Sequence, residues 1–141
     1  MNSDFTLAVH SLTLLSLLPE RMSSSDAIAE SASVHPVRIR KILSILRKHG
    51  FIQSKEGTGG GFIFTSNPNE INLWEIYKIT SAGALQPKCP EVNTDCIVGA
   101  NMKSVLFSVF SDAEEHLGDF LCRYNIEDVM NLVKQKQEQA L

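Results

Sequence analysis

Cysteine is scarce in this chain: three thiols among 141 residues, an odd number with no Cys-x-x-Cys pair. That argues against a disulfide framework and against the usual zinc modules. His10, His35, His49 and His116 are scattered, with no zinc-ligand spacing and no HExxH. No metal site is expected. Long apolar runs are missing, and the N-terminus lacks a signal-peptide pattern, so no membrane partner is expected and the expected location is the cytoplasm. Catalytic signatures are missing as well. There is no GxSxG, no glycine loop ending in Gly-Lys-Ser/Thr, and no carboxylate pair in a plausible cleft, so an enzyme is not expected. The remaining absence is local. From Ser33 to Lys55 there is no Asp or Glu, yet Arg38, Arg40, Lys41, Arg47, Lys48 and Lys55 all fall there.

That stretch organises the rest. Pro36 suits a first helical position, where its missing N–H costs nothing. Ile39, Ile42, Leu43 and Leu46 recur at helical spacing and form one inward stripe. Gly50 is a natural residue to come after the helix end. Arg38, Arg40 and Lys41 then point outward near the positive end of the helix dipole. An ordinary solvated helix would carry the same stripe. The residues after Gly50 favour a polyanion-binding surface instead. Residues 51–55 and 62–65 read as strands around the glycine-rich 56–61, a hairpin. A phosphate-cradling loop needs a helix after the glycines, and here a strand comes next.

The net charge of −3 looks wrong for a nucleic-acid binder. Its distribution does not: residues 1–66 carry seven basic and five acidic groups, and residues 67–141 carry six and eleven. Local charge is what steers binding.

Taken in order, Asp4 to Leu18 is expected as a helix ended by Pro19. Ser24 or Ser25 caps a short second helix through Glu30. The tight connection Ser31-Ala32-Ser33 leads into the basic helix. Short helix, turn and longer helix is the helix–turn–helix pattern, whose second helix enters the major groove. Asn72 with Glu75 makes a box-like start for a helix carrying Trp74 and Tyr77, both read as core or dimer packing. Ser81 to Asp95 is a loop, and a long helix runs from Ile97 to Arg123. Met102, Leu106, Val109, Ala113, Leu117 and Phe120 form its apolar stripe, best covered by a second copy of the chain. Glu114 and Glu115 read as a solvated face. Asn125 and Asp128 start a final helix.

The blocks ILSILRKHGFIQSKEGTGGGFIF, INLWEIYKI and IEDVMNLV resemble the Rrf-two family of bacterial winged-helix transcription regulators, nearly end to end. The resemblance implies a mainly α fold with a small β-hairpin wing: a winged helix–turn–helix domain plus a long C-terminal dimerisation helix. The expected division is 1–80 for the DNA-binding domain, 81–96 for the loop with two cysteines, and 97–141 for the dimerisation and terminal helices. It implies a sequence-specific DNA-binding regulator, a repressor working as a homodimer on an inverted-repeat operator of double-stranded DNA. Residues expected at the DNA are Ser33, His35, Pro36, Val37, Arg38, Arg40, Lys41, Lys55, Thr58 and Gly59. His35 either caps the helix or touches a phosphate.

Two departures stand out. The family's wing commonly carries Arg where this chain has Glu56. Some members hold an iron–sulfur cluster through three loop cysteines, and this loop has Cys89 and Cys96. Cys122 lies 26 residues beyond Cys96, about 39 Å along one helix. No cofactor is expected, and an iron–sulfur cluster is the disfavoured alternative. A redox switch between Cys89 and Cys96 is another alternative, and a winged-helix protein-interaction module without DNA binding is the reading from a different class.

Overall fold

The computed structural model describes residues 2–140. Helix α1, Asp4–Leu17, buries Leu7, Ala8, Leu12 and Leu15. Its hydroxyls at Ser11, Thr13 and Ser16 bond back to carbonyls four residues earlier, so three polar groups are satisfied beside the core. A single 3-10 turn at Pro19–Arg21 comes next, with Glu20 and Arg21 both at positive φ, 59° and 53°. That unusual pair reverses the chain into a two-residue strand, β1, Met22–Ser23.

Helix α2, Ser25–Ala32, starts on Ser24, whose hydroxyl accepts from the Ala27 N–H. It runs two residues past the expected Glu30. It stops where Ser33 adopts the left-handed conformation, φ 55°, and its N–H closes on the Ala29 and Glu30 carbonyls. Helix α3, Pro36–Lys48, buries Ile39, Ile42, Leu43 and Leu46 as the spacing predicts. Its end is a Schellman motif. The Phe51 N–H reaches the Leu46 carbonyl and the Gly50 N–H reaches Arg47, with Gly50 at φ 81°.

Strands β2, Ile52–Lys55, and β3, Gly61–Phe64, pair antiparallel with Ile52 opposite Phe64 and Lys55 opposite Gly61. Strand β1 adds to the far edge of β3, giving the order β1-β3-β2. The expected two-stranded hairpin is thus a three-stranded sheet. Gly61 permits this: a Cβ there would sit 2.3 Å from the Ser23 carbonyl oxygen.

Helix α4, Leu73–Ser81, opens with a reciprocal capping box between Asn72 and Glu75. Helix α5, Ile97–Leu121, lies beyond the loop, and helix α6, Ile126–Ala140, closes the chain. A second reciprocal pair, Asn125 with Asp128, starts α6. The two helix starts are tied together. The Leu73 N–H bonds to Tyr124 O at 2.8 Å, and the Ile126 N–H to Ile71 O at 2.9 Å. Ile126 is fully buried and belongs to the same core as α1 and α3. The core therefore draws on α1–α4, the sheet and the first turn of α6, while α5 contributes only Gly118 among its residues fully removed from solvent. Full burial of side chains such as Leu12, Ile39 and Leu43 contributes about 1.5–3 kcal/mol each.

Candidate nucleic-acid interface

The first two turns of α3 present one exposed surface. His35 is the N-cap, and its Nδ1 accepts from the Val37 N–H at 3.1 Å. That ring nitrogen is therefore the unprotonated one, and of the two expected roles the imidazole fills the cap. Ser33, Val37, Arg38, Arg40 and Lys41 are exposed and Pro36 is half-buried. Val37, 59% exposed, is an apolar side chain standing among cations, the kind of group that contacts a thymine methyl.

Two of these cations have acidic neighbours. The Arg38 guanidinium donates to the Ser3 hydroxyl and to Asp4 Oδ1 at 3.1 Å. Arg40 lies 3.7 Å from Asp26 at the start of α2. Lys41 has no ion-pair partner among the described residues. Residue spacing carries no sign of these pairs, because residues 4 and 38 meet only through the packing of α1 on α3.

Lys55, Thr58 and Gly59 form a second exposed group at the end of the hairpin. The loop is held by the Gly60 N–H on Gly57 O, and it turns through positive φ at Gly57 and Gly59. Its base is fastened to the C-terminal end of α3, where Arg47 donates to the Ser54 hydroxyl at 3.4 Å. The wing thus extends from the opposite end of α3 to the Ser33–Lys41 group. Glu56 stands exposed beside Lys55 and offsets it.

The stripe on α5 divides. Met102, Val109, Ala113 and Phe120 are exposed, while Leu106 and Leu117 are half-buried. Val98, Val105 and Phe107 are also more than half exposed. The inward side is anchored by Gly118, set against the Trp74 ring, and by Glu114. Glu114 is not a solvated group. Its Oε2 accepts from the buried Tyr77 hydroxyl at 3.0 Å and from the Gly83 N–H at 2.8 Å. Burial, then the Glu114 carboxylate, pushes the Tyr77 hydroxyl up to about 12. Trp74 stacks on Tyr77 at 5.3 Å, so both aromatics pack inside the chain.

Cys96 is the exposed N-cap of α5, and Cys89 is half-buried in the loop. Hydrogen bonds from the Gly99 and Val98 backbone hold the Cys96 thiol below its ordinary range. Cys122 sits at the other end of α5. Among the described residues no three His, Cys, Asp or Glu side chains gather closely enough to hold a metal. A cluster needs about four ligands, and the thiols of one chain do not fit one.

A helix–turn–helix with an exposed basic second helix, a wing fastened to it, and a long helix beyond define the architecture. The family model for Rrf2, described as an iron-dependent transcriptional regulator, matches residues 1–132. The chain belongs to the Rrf2 family. YwnA of Bacillus subtilis (strain 168) is 29% identical over 132 residues, covering 93% of this chain and 97% of that one. The HTH-type transcriptional regulator NsrR of the same organism is 26% identical, covering 96% of each chain. A crystal structure from Lactobacillus plantarum superposes with a TM-score of 0.80, at 25% identity and 99% coverage of both chains. As an Rrf2 protein the chain is a DNA-binding transcriptional regulator with a winged-helix fold. No helix among the described residues is long and apolar enough to cross a membrane.

Proposed function

We propose that this Rrf2 protein is a homodimeric repressor that reads an inverted-repeat operator with the N-terminal half of α3. The observation that carries the reading is the exposed basic surface of Ser33, His35, Val37, Arg38, Arg40 and Lys41 at the start of a rigidly packed helix, whose cations outnumber the two carboxylates, Asp4 and Asp26, that reach it. Arg side chains there are suited to guanine edges, and Lys41 to a phosphate. Pro36 shapes the entry into the helix, and Lys55, Thr58 and Gly59 meet the flanking backbone. The exposed line Val98, Met102, Val105, Val109 and Phe120 on α5 supports pairing with a second copy through a two-fold interface. Met102, Val109, Ala113 and Phe120 lie in that seam, with Leu106 and Leu117 at its border. Such a two-fold sets the two α3 helices about 34 Å, or a multiple, apart.

The test is a mobility shift with duplexes selected by the protein from a random pool, over 50–200 mM salt. Wild type should show a specific shift with a steep salt slope. Replacing Arg38, Arg40 and Lys41 together with Ala should remove it. Unchanged affinity in the triple variant would refute the assignment of α3, and binding of protein partners alone would favour an interaction module.

A thiol switch is the second reading, favoured by the exposed, acid-shifted Cys96 beside the loop that carries Cys89. Peroxide would oxidise the two thiols to one disulfide with release of two waters. Cys96→Ser should then make operator binding insensitive to peroxide.

A further inference from the structure

The geometry points to Asp4 as a specificity-determining residue that positions Arg38 and damps its attraction to phosphates. This rests on the reading of α3 as the operator-contacting helix. Three cations crown the start of that helix, and two of them carry a carboxylate within 4 Å. The two pairs differ. Asp26 is 78% exposed and sits 3.7 Å from Arg40, a loose surface contact. Asp4 is 17% exposed and sits 3.1 Å from Arg38. Its backbone N–H is held by Asn2 Oδ1 at 3.0 Å, and it occupies the first turn of α1, where the helix dipole favours a carboxylate. Ser3 supplies a second anchor on the same guanidinium. Arg38 is thus gripped by a residue that the core itself fixes, because α1 packs on α3 and both bury side chains in one core.

This grip acts differently on two kinds of DNA contact. Phosphate attraction depends on net charge, and while the pair holds, the Asp4 carboxylate lowers the charge that Arg38 presents to a phosphate. A guanine edge offers two acceptors and no full charge, so the carboxylate penalises it less. An aimed guanidinium also loses less rotamer freedom when it docks. Asp4 should therefore lower affinity for random duplex more than for the operator.

The measurement uses the whole 141-residue chain, a duplex selected from a random pool by wild type, and a scrambled duplex of the same composition. Affinities are taken from 50 to 200 mM salt for wild type, Asp4→Asn, Asp4→Glu, Arg38→Ala and the Asp4→Asn/Arg38→Ala pair. One released phosphate contact steepens the salt slope by about 0.9. The advantage of Asp4→Asn over wild type on scrambled duplex should therefore shrink about 3.5-fold across that range. Its selected-to-scrambled ratio should fall, Asp4→Glu should keep the wild-type slope, and the pair should behave as Arg38→Ala alone. If Asp4→Asn fails to fold, Asp4→Ser removes the same charge and should shift the slope in the same direction. A wild-type slope in the variants that fold, with operator binding weakened by Arg38→Ala, overturns the role of Asp4 while the α3 reading stands. No effect of Arg38→Ala on either duplex overturns the role of Asp4, and the α3 reading falls with it only if the Arg38, Arg40 and Lys41 triple variant also binds unchanged.

Discussion

Gly118 offers a substitution whose sign is decided by the packing. In an exposed helix interior, Gly→Ala stabilises by about 1 kcal/mol through helix propensity. Here a Cβ would lie 2.6, 2.8 and 2.9 Å from Cε2, Cζ2 and Cδ2 of Trp74. Those separations are far inside the 3.5–4.0 Å optimum for carbon pairs. The indole has little room to retreat: it stacks on Tyr77 at 5.3 Å, and Tyr77 is buried and bonded to Glu114. Overpacking of this kind costs about 1–3 kcal/mol, and three simultaneous overlaps place it at the upper end. Gly118→Ala should therefore destabilise by about 1–2 kcal/mol, after the propensity gain is subtracted. The chain has a single tryptophan, at the site itself, so urea unfolding tracked by its fluorescence reports the change directly. Protein concentration must be held constant, because association adds to apparent stability. A gain of about 1 kcal/mol would refute the reasoning, since it would mean that propensity acts unopposed and that α5 does not rest on Trp74.

Tyr77 gives a pH prediction. Its hydroxyl is raised to about 12 in the folded chain from 10.0, so between those values the unfolded chain releases a proton that the folded chain keeps. Stability from this group should be level below pH 10 and should fall from pH 10 to 12, and Tyr77→Phe should flatten that fall in urea midpoints. Gly61→Ala would drive a Cβ into the Ser23 carbonyl and should unpair β1 from β3. Amide exchange along the β1–β3 pairing should accelerate, and unchanged protection would refute the contact as the reason for glycine. Val105→Glu with Val109→Glu puts charges four residues apart on the exposed side of α5, where each valine is 54% exposed. Light scattering should find monomers that bind operator poorly, and a persistent dimer would remove α5 from the interface.

Much of the architecture is readable from residue spacing. The helix stripes, the Gly50 terminus and the Asn72–Glu75 box are set by contacts within four or five residues, which is the range that a pattern exposes. Strand β1 is two residues long and comes after two left-handed residues, so it carries no period. The partners of Arg38 and Arg40 are equally hidden, since ion pairs between separate helices leave no trace in spacing. Glu114 and Glu115 read together as a solvated face; one helical step turns a side chain by about 100°, enough to separate a half-buried acceptor from a surface charge. On α5 the spacing shows an apolar side but not its division. Leu106 and Leu117 are half-buried where Val105 and Val109 are exposed, and only packing distinguishes them.

The backbone tie between Leu73 and Tyr124, and between Ile71 and Ile126, makes the order of synthesis matter. Chains emerge N-terminus first, yet a fully buried piece of the winged core, Ile126, arrives only after the whole of α5. Until then α1 and the turn at Pro68–Glu70 lack their cover. Closing so long a loop costs little more than closing a short one, because the entropy grows only with the logarithm of length. A nascent or prematurely ended chain thus holds every residue of α3 without the finished scaffold that aims it. Release of a DNA-reading surface is coupled to completion of the helix proposed to pair the subunits, so half-made chains should compete poorly for operator sites.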